Sequence, residues 1–342
     1  MLPERDERAR AWPGFVNAHS HTFQRRLRAT AAGDSFWSWR NAMLELAASL
    51  DTPTLRADYA AAYGEMLDNG YTAVGEFHYL GVEEAFAVQA AAAEAGIALV
   101  LLHAAYGRGG VPRFRQASAS DYLREVERLR GAGLTVGLAP HSIRACPRDW
   151  LEEIGRYAAA ERLPLHVHAC EQPQELELCL EEHGMTPIEL LAETGCLGER
   201  TSVVHATHAS DHELDLLADA GARVCICPTT EASLGDGFAP VLRLLERRIP
   251  LCIGSDSNVR IDPLEELREL DGIARRLALR RDLFSVERLL AIGREGSGTA
   301  LGLESWPETT LNLDHRSLRG VDEADVDGAL VYSCSSDVFS RP

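Results

Sequence analysis

Several things are missing from this 342-residue chain, and each absence narrows what it can be. No apolar run approaches the roughly 18 residues needed to span a bilayer. The opening stretch, MLPERDERARAWPG, is charged and holds no apolar core, so no secretory signal is expected. The eight cysteines form no paired CxxC array, and Cys225, Cys227 and Cys252 sit in apolar runs. Buried thiols in a reducing compartment explain them better than disulfides, and a cytoplasmic location is the expectation. Positive charge is in short supply: 34 Lys and Arg face 52 Asp and Glu, a net charge of −18. Such a surface repels nucleic acid and anionic membranes, so neither is an expected partner. Cations that receive an anionic substrate must therefore sit locally, inside a site. Low-complexity linkers are absent as well.

What is present is an alternation. Short β-rich runs are GFVNAHS (14–20), TAVGEFH (72–78), ALVLLHAAY (98–106), TVGLAPHS (135–142), LPLHVHACE (163–171), SVVHATH (202–208), ARVCICP (222–228) and IPLCIGSDS (249–257). Between them lie segments with helical patterning. Gly70 and Gly96 act as C-terminal stops, and Ser120 is the expected N-cap of SDYLREVERLRGAG. Strands apolar nearly throughout and separated by helices imply a parallel sheet covered by helices. Eight such units over about 250 residues match a (β/α)8 TIM barrel. An open doubly wound sheet is the alternative, weakened because no Gly-rich dinucleotide fingerprint follows the first run. The expected organisation is a lead-in at 1–12, the barrel at 13–305, and a short C-terminal appendage at 306–342 made of one or two strands with turns.

Polar residues gather at the C-terminal ends of these runs: His19 and His21, Glu76 to Tyr79, His141, His168 with Glu171, His205 with His208, and Asp256. In a barrel those ends meet on one face, where active sites are built. Individually the signals are ambiguous. His19 and His21 share a strand face and can chelate a metal, or pair by chance. His166 reads best as a core histidine, His208 as a loop or cap residue, and Asp256 could be no more than a helix cap. Taken together, three imidazoles and a carboxylate on one rim form a nitrogen and oxygen set suited to Zn²⁺, with a position open for water.

These residues carry a resemblance. HxH on the first strand, His on the fifth followed by HxxE, His on the sixth and Asp on the eighth resemble the amidohydrolase superfamily in its mononuclear deaminase branch. The stretches HSHTFQR, DSFWSWR, GYTAVGEFHYL, APHSIRA, HVHACEQ, VHATH and GSDSNVRIDPLEELR are similar to its formimidoylglutamate deiminases, over about residues 13 to 305. The resemblance implies a metal-dependent hydrolase of the TIM-barrel type. Its reaction would turn N-formimidoyl-L-glutamate into N-formyl-L-glutamate and ammonia, a step of histidine degradation. It also implies that His19, His21, His168 and Asp256 hold one Zn²⁺, with Fe²⁺ fitting the same ligands. By the same resemblance His205 sits beside the activated water, Asp256 takes that water's proton, and Glu171 shuttles a proton to the leaving nitrogen. Gln24, Arg40, Tyr79, His141 and Arg144 fall on positions that hold substrate. Two guanidinium forks suit a substrate with two carboxylates, and Trp37 and Trp39 read as packing that positions Arg40.

Two other readings stay open: a related amidohydrolase acting on another small amidine, guanidine or heterocyclic amine, and an inactive metal-binding barrel that serves as a scaffold. Relatives begin with strands upstream of the barrel that pair with C-terminal strands in a small β-sandwich. Here about a dozen residues precede PGFVNAHSH. The small domain is expected to be largely missing, or the chain incomplete, with the uncovered surface buried in a homodimer.

Overall fold

The computed structural model describes residues 8–29 and 35–341. All eight β-rich runs become strands of one parallel sheet: β2 (Phe15–Ser20), β3 (Tyr71–His78), β4 (Ala98–Ala105), β5 (Val136–Pro140), β6 (Leu165–Ala169), β7 (Thr201–His205), β8 (Arg223–Ile226) and β9 (Leu251–Ile253). Strand order follows chain order, each strand pairing in parallel with the next. Nearly every strand residue is buried, as both faces of a helix-covered sheet must be. The sheet closes on itself at the top. Ser20 and Asp256 form a parallel bridge, His21 N–H donates to Asp256 O at 2.7 Å, and Asp256 N–H donates to His19 O at 3.0 Å. Gly254 permits this approach, since a Cβ there would stand 2.6 Å from His19 O. The result is the expected TIM barrel.

Local chemistry explains the surrounding helices. Asp51 caps the helix Thr52–Asp68 by accepting from Thr54 N–H at 2.8 Å. Gly70, at φ +90°, turns the chain into β3, and a Cβ there would meet the Phe339 ring at 2.7 Å. Gly96 ends the helix Val82–Ala95 in the left-handed conformation. One cap differs from expectation. Ser118, not Ser120, caps the helix Ala119–Gly131, because its Oγ accepts the Asp121 N–H at 3.0 Å, three residues on; Ser120 lies in the first turn and bonds Glu153 instead. A helix that alternation did not predict, Phe36–Ser49, starts from a reciprocal Ser35–Ser38 capping box and crosses the barrel mouth.

Outside the barrel, β1 (Ala9–Pro13) pairs antiparallel with β10 (Glu308–Asn312), which pairs with β11 (Phe339–Ser340). The lead-in from residue 9 and the C-terminal segment thus share one small sheet; residues 1–7 of the lead-in lie outside the described residues. The C-terminal segment contains a helix, Val326–Ser333, as well as strands and turns. All eight cysteines are free and buried. Among the described residues no helix is long and apolar enough to cross a membrane.

Candidate active site

Barrel geometry delivers His19 from β2, His21 from just past its end, His168 from β6, and Asp256 from the corner after β9. Their ligand atoms all lie within 4.8 Å of one another, and all four residues are buried. Nε2 of His19 is 3.1 Å from Nε2 of His21 and 3.0 Å from Nε2 of His168. Asp256 Oδ1 is 3.2 Å from His21 Nε2 and 3.5 Å from His19 Nε2.

Proton positions decide what this cluster can hold. His21 Nδ1 faces Phe77 O at 3.2 Å and His168 Nδ1 faces His141 O at 2.9 Å. A carbonyl only accepts, so each Nδ1 carries the proton and each Nε2 of the neutral ring presents a lone pair. Burial lowers His19 to about 3. It also drives His168 well below the usual imidazole range, with the neighbouring imidazoles adding to the effect. Burial alone would raise Asp256, but the His19 and His21 rings facing it hold it well below the carboxylate range. Neutral nitrogens and one anionic oxygen converging on a point repel one another unless a cation sits between them. The outward Nδ1–carbonyl bonds are the usual way a protein fixes metal-binding imidazoles. The residues therefore fit a divalent cation bound by three nitrogens and one oxygen.

The strained backbone converges here too. His205, Ala206, Cys170, Asp256 and Asn258 all have positive φ without being glycine, and all lie at strand ends on this rim. The Asp256 corner is held by a buried net. Asn17 Nδ2 donates to Ser255 Oγ at 2.6 Å, Ser255 Oγ donates to Asn258 Oδ1 at 2.6 Å, and Asn258 Nδ2 donates to both Ser20 Oγ and Asp256 O at 3.0 Å.

His205 stands apart from the four ligands. Burial would lower it, yet Glu231, Glu171 and Asp256 outweigh that and raise it to about 10. Its Nδ1 bonds Glu231 Oε1 at 3.2 Å, and its Nε2 lies between Glu171 Oε1 at 3.7 Å and Asp256 Oδ2 at 3.8 Å. A protonated imidazole has no lone pair for a metal, in keeping with a place beside the cation. His166 is a core residue, bonded through Nε2 to Ala300 O at 2.9 Å, and His208 is half-buried outside the cluster.

One pocket unites the rest. Gln24, Arg40, Tyr79, His141, Arg144 and Glu171 line it together with His21, His168 and Asp256. Gln24 Nε2 donates to Tyr79 OH at 2.7 Å. Arg144 Nη2 donates to Glu171 Oε2 at 3.1 Å. Among the described residues, Arg40 has no carboxylate within ion-pair distance; its guanidinium lies over the Trp37 ring at 5.9 Å. Trp39 lines the pocket with Phe36, so it faces the site and does more than position Arg40. Sequence reasoning missed Asn17, Ser255 and Asn258 behind Asp256, the buried Glu231 behind His205, and Glu175, which accepts the Glu171 N–H at 3.1 Å. Ser255 lies within GSDS, and Asn258 and Glu175 lie just beyond GSDS and HACEQ, which is the signal that could have found them.

Comparison with known proteins fits this geometry. Residues 11–304 match the amidohydrolase family. Formimidoylglutamate deiminase of Pseudomonas aeruginosa is 38% identical over 288 residues, covering 76% of this chain and 63% of that protein. The 5-methylthioadenosine/S-adenosylhomocysteine deaminase of Natronomonas pharaonis is 31% identical over 264 residues, 75% of this chain and 60% of that one. The chain thus spans less than two thirds of the length of these curated relatives. A crystal structure of an amidohydrolase from Brucella melitensis superposes with a TM-score of 0.85 at 30% identity, covering 96% of this chain and 84% of that one.

Proposed function

The chain belongs to the amidohydrolase family, and from that premise we propose that it is a metal-dependent deiminase that hydrolyses N-formimidoyl-L-glutamate to N-formyl-L-glutamate and ammonia. The observation that carries this reading is the pair of arginines, Arg40 and Arg144, in the pocket that the metal-binding group floors. The substrate has a reactive amidine at one end and two carboxylates at the other. Two planar forks match two carboxylates, and the chain's net charge of −18 makes local cations necessary for any dianion.

His19, His21, His168 and Asp256 would hold Zn²⁺ or Fe²⁺, which when bound supplies a Lewis acid and water acidic enough to ionise near neutral pH. The remaining work falls to side chains. Asp256 accepts the proton of the attacking water. His205, charged and held by Glu231, offers Nε2–H to the oxygen that forms at the formimidoyl carbon. Glu171 carries a proton to the departing nitrogen, without which ammonia is a poor leaving group. Gln24, Tyr79 and His141 line the same pocket and orient the amidine.

A second reading, deamination of a purine-like heterocycle, is favoured by the aromatic wall of Phe36, Trp39, Tyr79 and Tyr106. Ammonia release from metal-loaded protein separates the two. Formimidoylglutamate should exceed guanine and methylthioadenosine in kcat/KM by at least about a hundredfold, the scale of a missing charge-assisted contact or two, and formimidoylaspartate, which keeps both carboxylates but lacks one methylene, by about tenfold. Preference for either purine would overturn the proposal.

A further inference from the structure

Arg144 is engaged by the wrong partner for a simple substrate clamp. Its Nη2 donates to Glu171 Oε2 at 3.1 Å, while its Nε and Nη1 are buried without hydrogen-bond partners. Glu175 stands behind it, fully buried, with an unpartnered Oε1 at 4.0 Å from Arg144 Nε. Glu171 Oε1 is left 3.7 Å from His205 Nε2, beyond hydrogen-bond reach. The side chain that must serve the leaving nitrogen is thus tied to the cation that must receive a substrate carboxylate. Both line the same pocket, so an arriving carboxylate and Glu171 compete for one edge of one guanidinium.

We propose that Arg144 is an exchange clasp: a substrate carboxylate takes its Nη edge away from Glu171, and only then is Glu171 free to turn toward the reacting amidine. The proposal rests on the formimidoylglutamate reading and adds to it a rule about when the site works. Glu175 makes the exchange workable, because it stays beside Nε and keeps the buried guanidinium compensated while Glu171 leaves. Selectivity for carboxylated amidines then resides in turnover as well as in binding. An amidine without a carboxylate enters, finds Glu171 still held, and reacts slowly.

The test compares formimidoylglutamate with formamidine, which reacts with water to give formamide and ammonia, in wild-type, Arg144→Met and Arg144→Lys proteins loaded with zinc. The clasp predicts opposite signs. Arg144→Met lowers kcat/KM for formimidoylglutamate by at least about tenfold, yet raises kcat for formamidine by at least about threefold, because Glu171 is released. Formamidine is a cation at neutral pH, so removing the guanidinium also eases its binding. That effect falls on KM, which leaves kcat as the deciding quantity. Acetate added in trans raises formamidine kcat in the wild type and not in Arg144→Met. Should Arg144→Met fail to fold by circular dichroism, the acetate effect on the wild type, and its weakening in Arg144→Lys, carry the decision alone. A formamidine kcat unmoved by both acetate and Arg144→Met overturns the clasp and leaves the substrate reading standing. Unchanged formimidoylglutamate turnover in Arg144→Met overturns the substrate reading itself.

Discussion

At the scale of single residues, the site is an arrangement of protons. His21 and His168 spend their only N–H on carbonyls and so turn lone pairs inward, while His205 is charged by its carboxylate neighbours and turns an N–H inward. Glu171 belongs to neither group. Glu171→Gln keeps the shape and loses the proton carrier, so kcat for ammonia release should fall by about 10²–10⁴, with metal content by elemental analysis unchanged. Loss of metal in that variant would make Glu171 a ligand support instead. Glu76 is a second titrating group, buried behind His21 and bonded by Thr22 N–H at 2.8 Å and Thr22 Oγ. Burial raises it from 4.5 to about 7, against the pull of the Thr22 bonds. A carboxyl raised on folding binds its proton more tightly in the folded state. Its contribution is therefore greatest below about pH 4.5 and declines as pH rises to about 7. In chelator-treated protein, stability relative to Glu76→Gln should drop by up to about 3 kcal/mol across that window in urea titrations. A flat difference would show that Glu76 ionises in the fold as it does in the open chain.

At the scale of elements, strand ends do the positioning, and corners hold the ends. Asn258 sits at φ 55° and ties Ser20, Ser255 and Asp256 together. Asn258→Ala loses the bonds and strains the backbone, and should cost about 2–4 kcal/mol in urea unfolding. Asn258→Gly keeps the backbone relaxed and should cost about 1–2 kcal/mol less. Equal losses would mean the backbone conformation carries no strain. These corners mark the limit of what the sequence made legible. The eight strands could be read because each is an apolar run of seven to nine residues, as burial on both faces requires, and six of the eight carry His, Glu or Asp at or next to the end. The four-ligand set could be read because each ligand sits at such an end. The net that ties Asn17, Ser255 and Asn258 to this corner could not, since the bonds that close it, Asn17–Ser255 and Ser20–Asn258, join residues more than 230 positions apart. The helix Phe36–Ser49 went unread because it is an extra helix between β2 and the helix Thr52–Asp68, and so breaks the one-strand, one-helix alternation that organised the reading. Ser118 and Ser120 are the same residue type two apart, and only the geometry of the first turn separates cap from interior.

At the scale of the whole molecule, the barrel and the metal-binding group are one object. The first and last strands are joined chiefly through Ser20, His21 and Asp256, so a cation bound by His19, His21, His168 and Asp256 bridges the seam. Chelation should lower Tm by about 5–10 °C and abolish ammonia release, with both restored by zinc. A Tm indifferent to chelator would mean that the backbone bridge alone holds the seam. The same joint fixes a time as well as a place. His19 and His21 leave the ribosome together, yet the carboxylate that completes the set follows more than 230 residues later, at Asp256. Capture of the ion thus waits on the eighth barrel strand, and a nascent chain that has made seven of the eight has no complete set of donors with which to retain it.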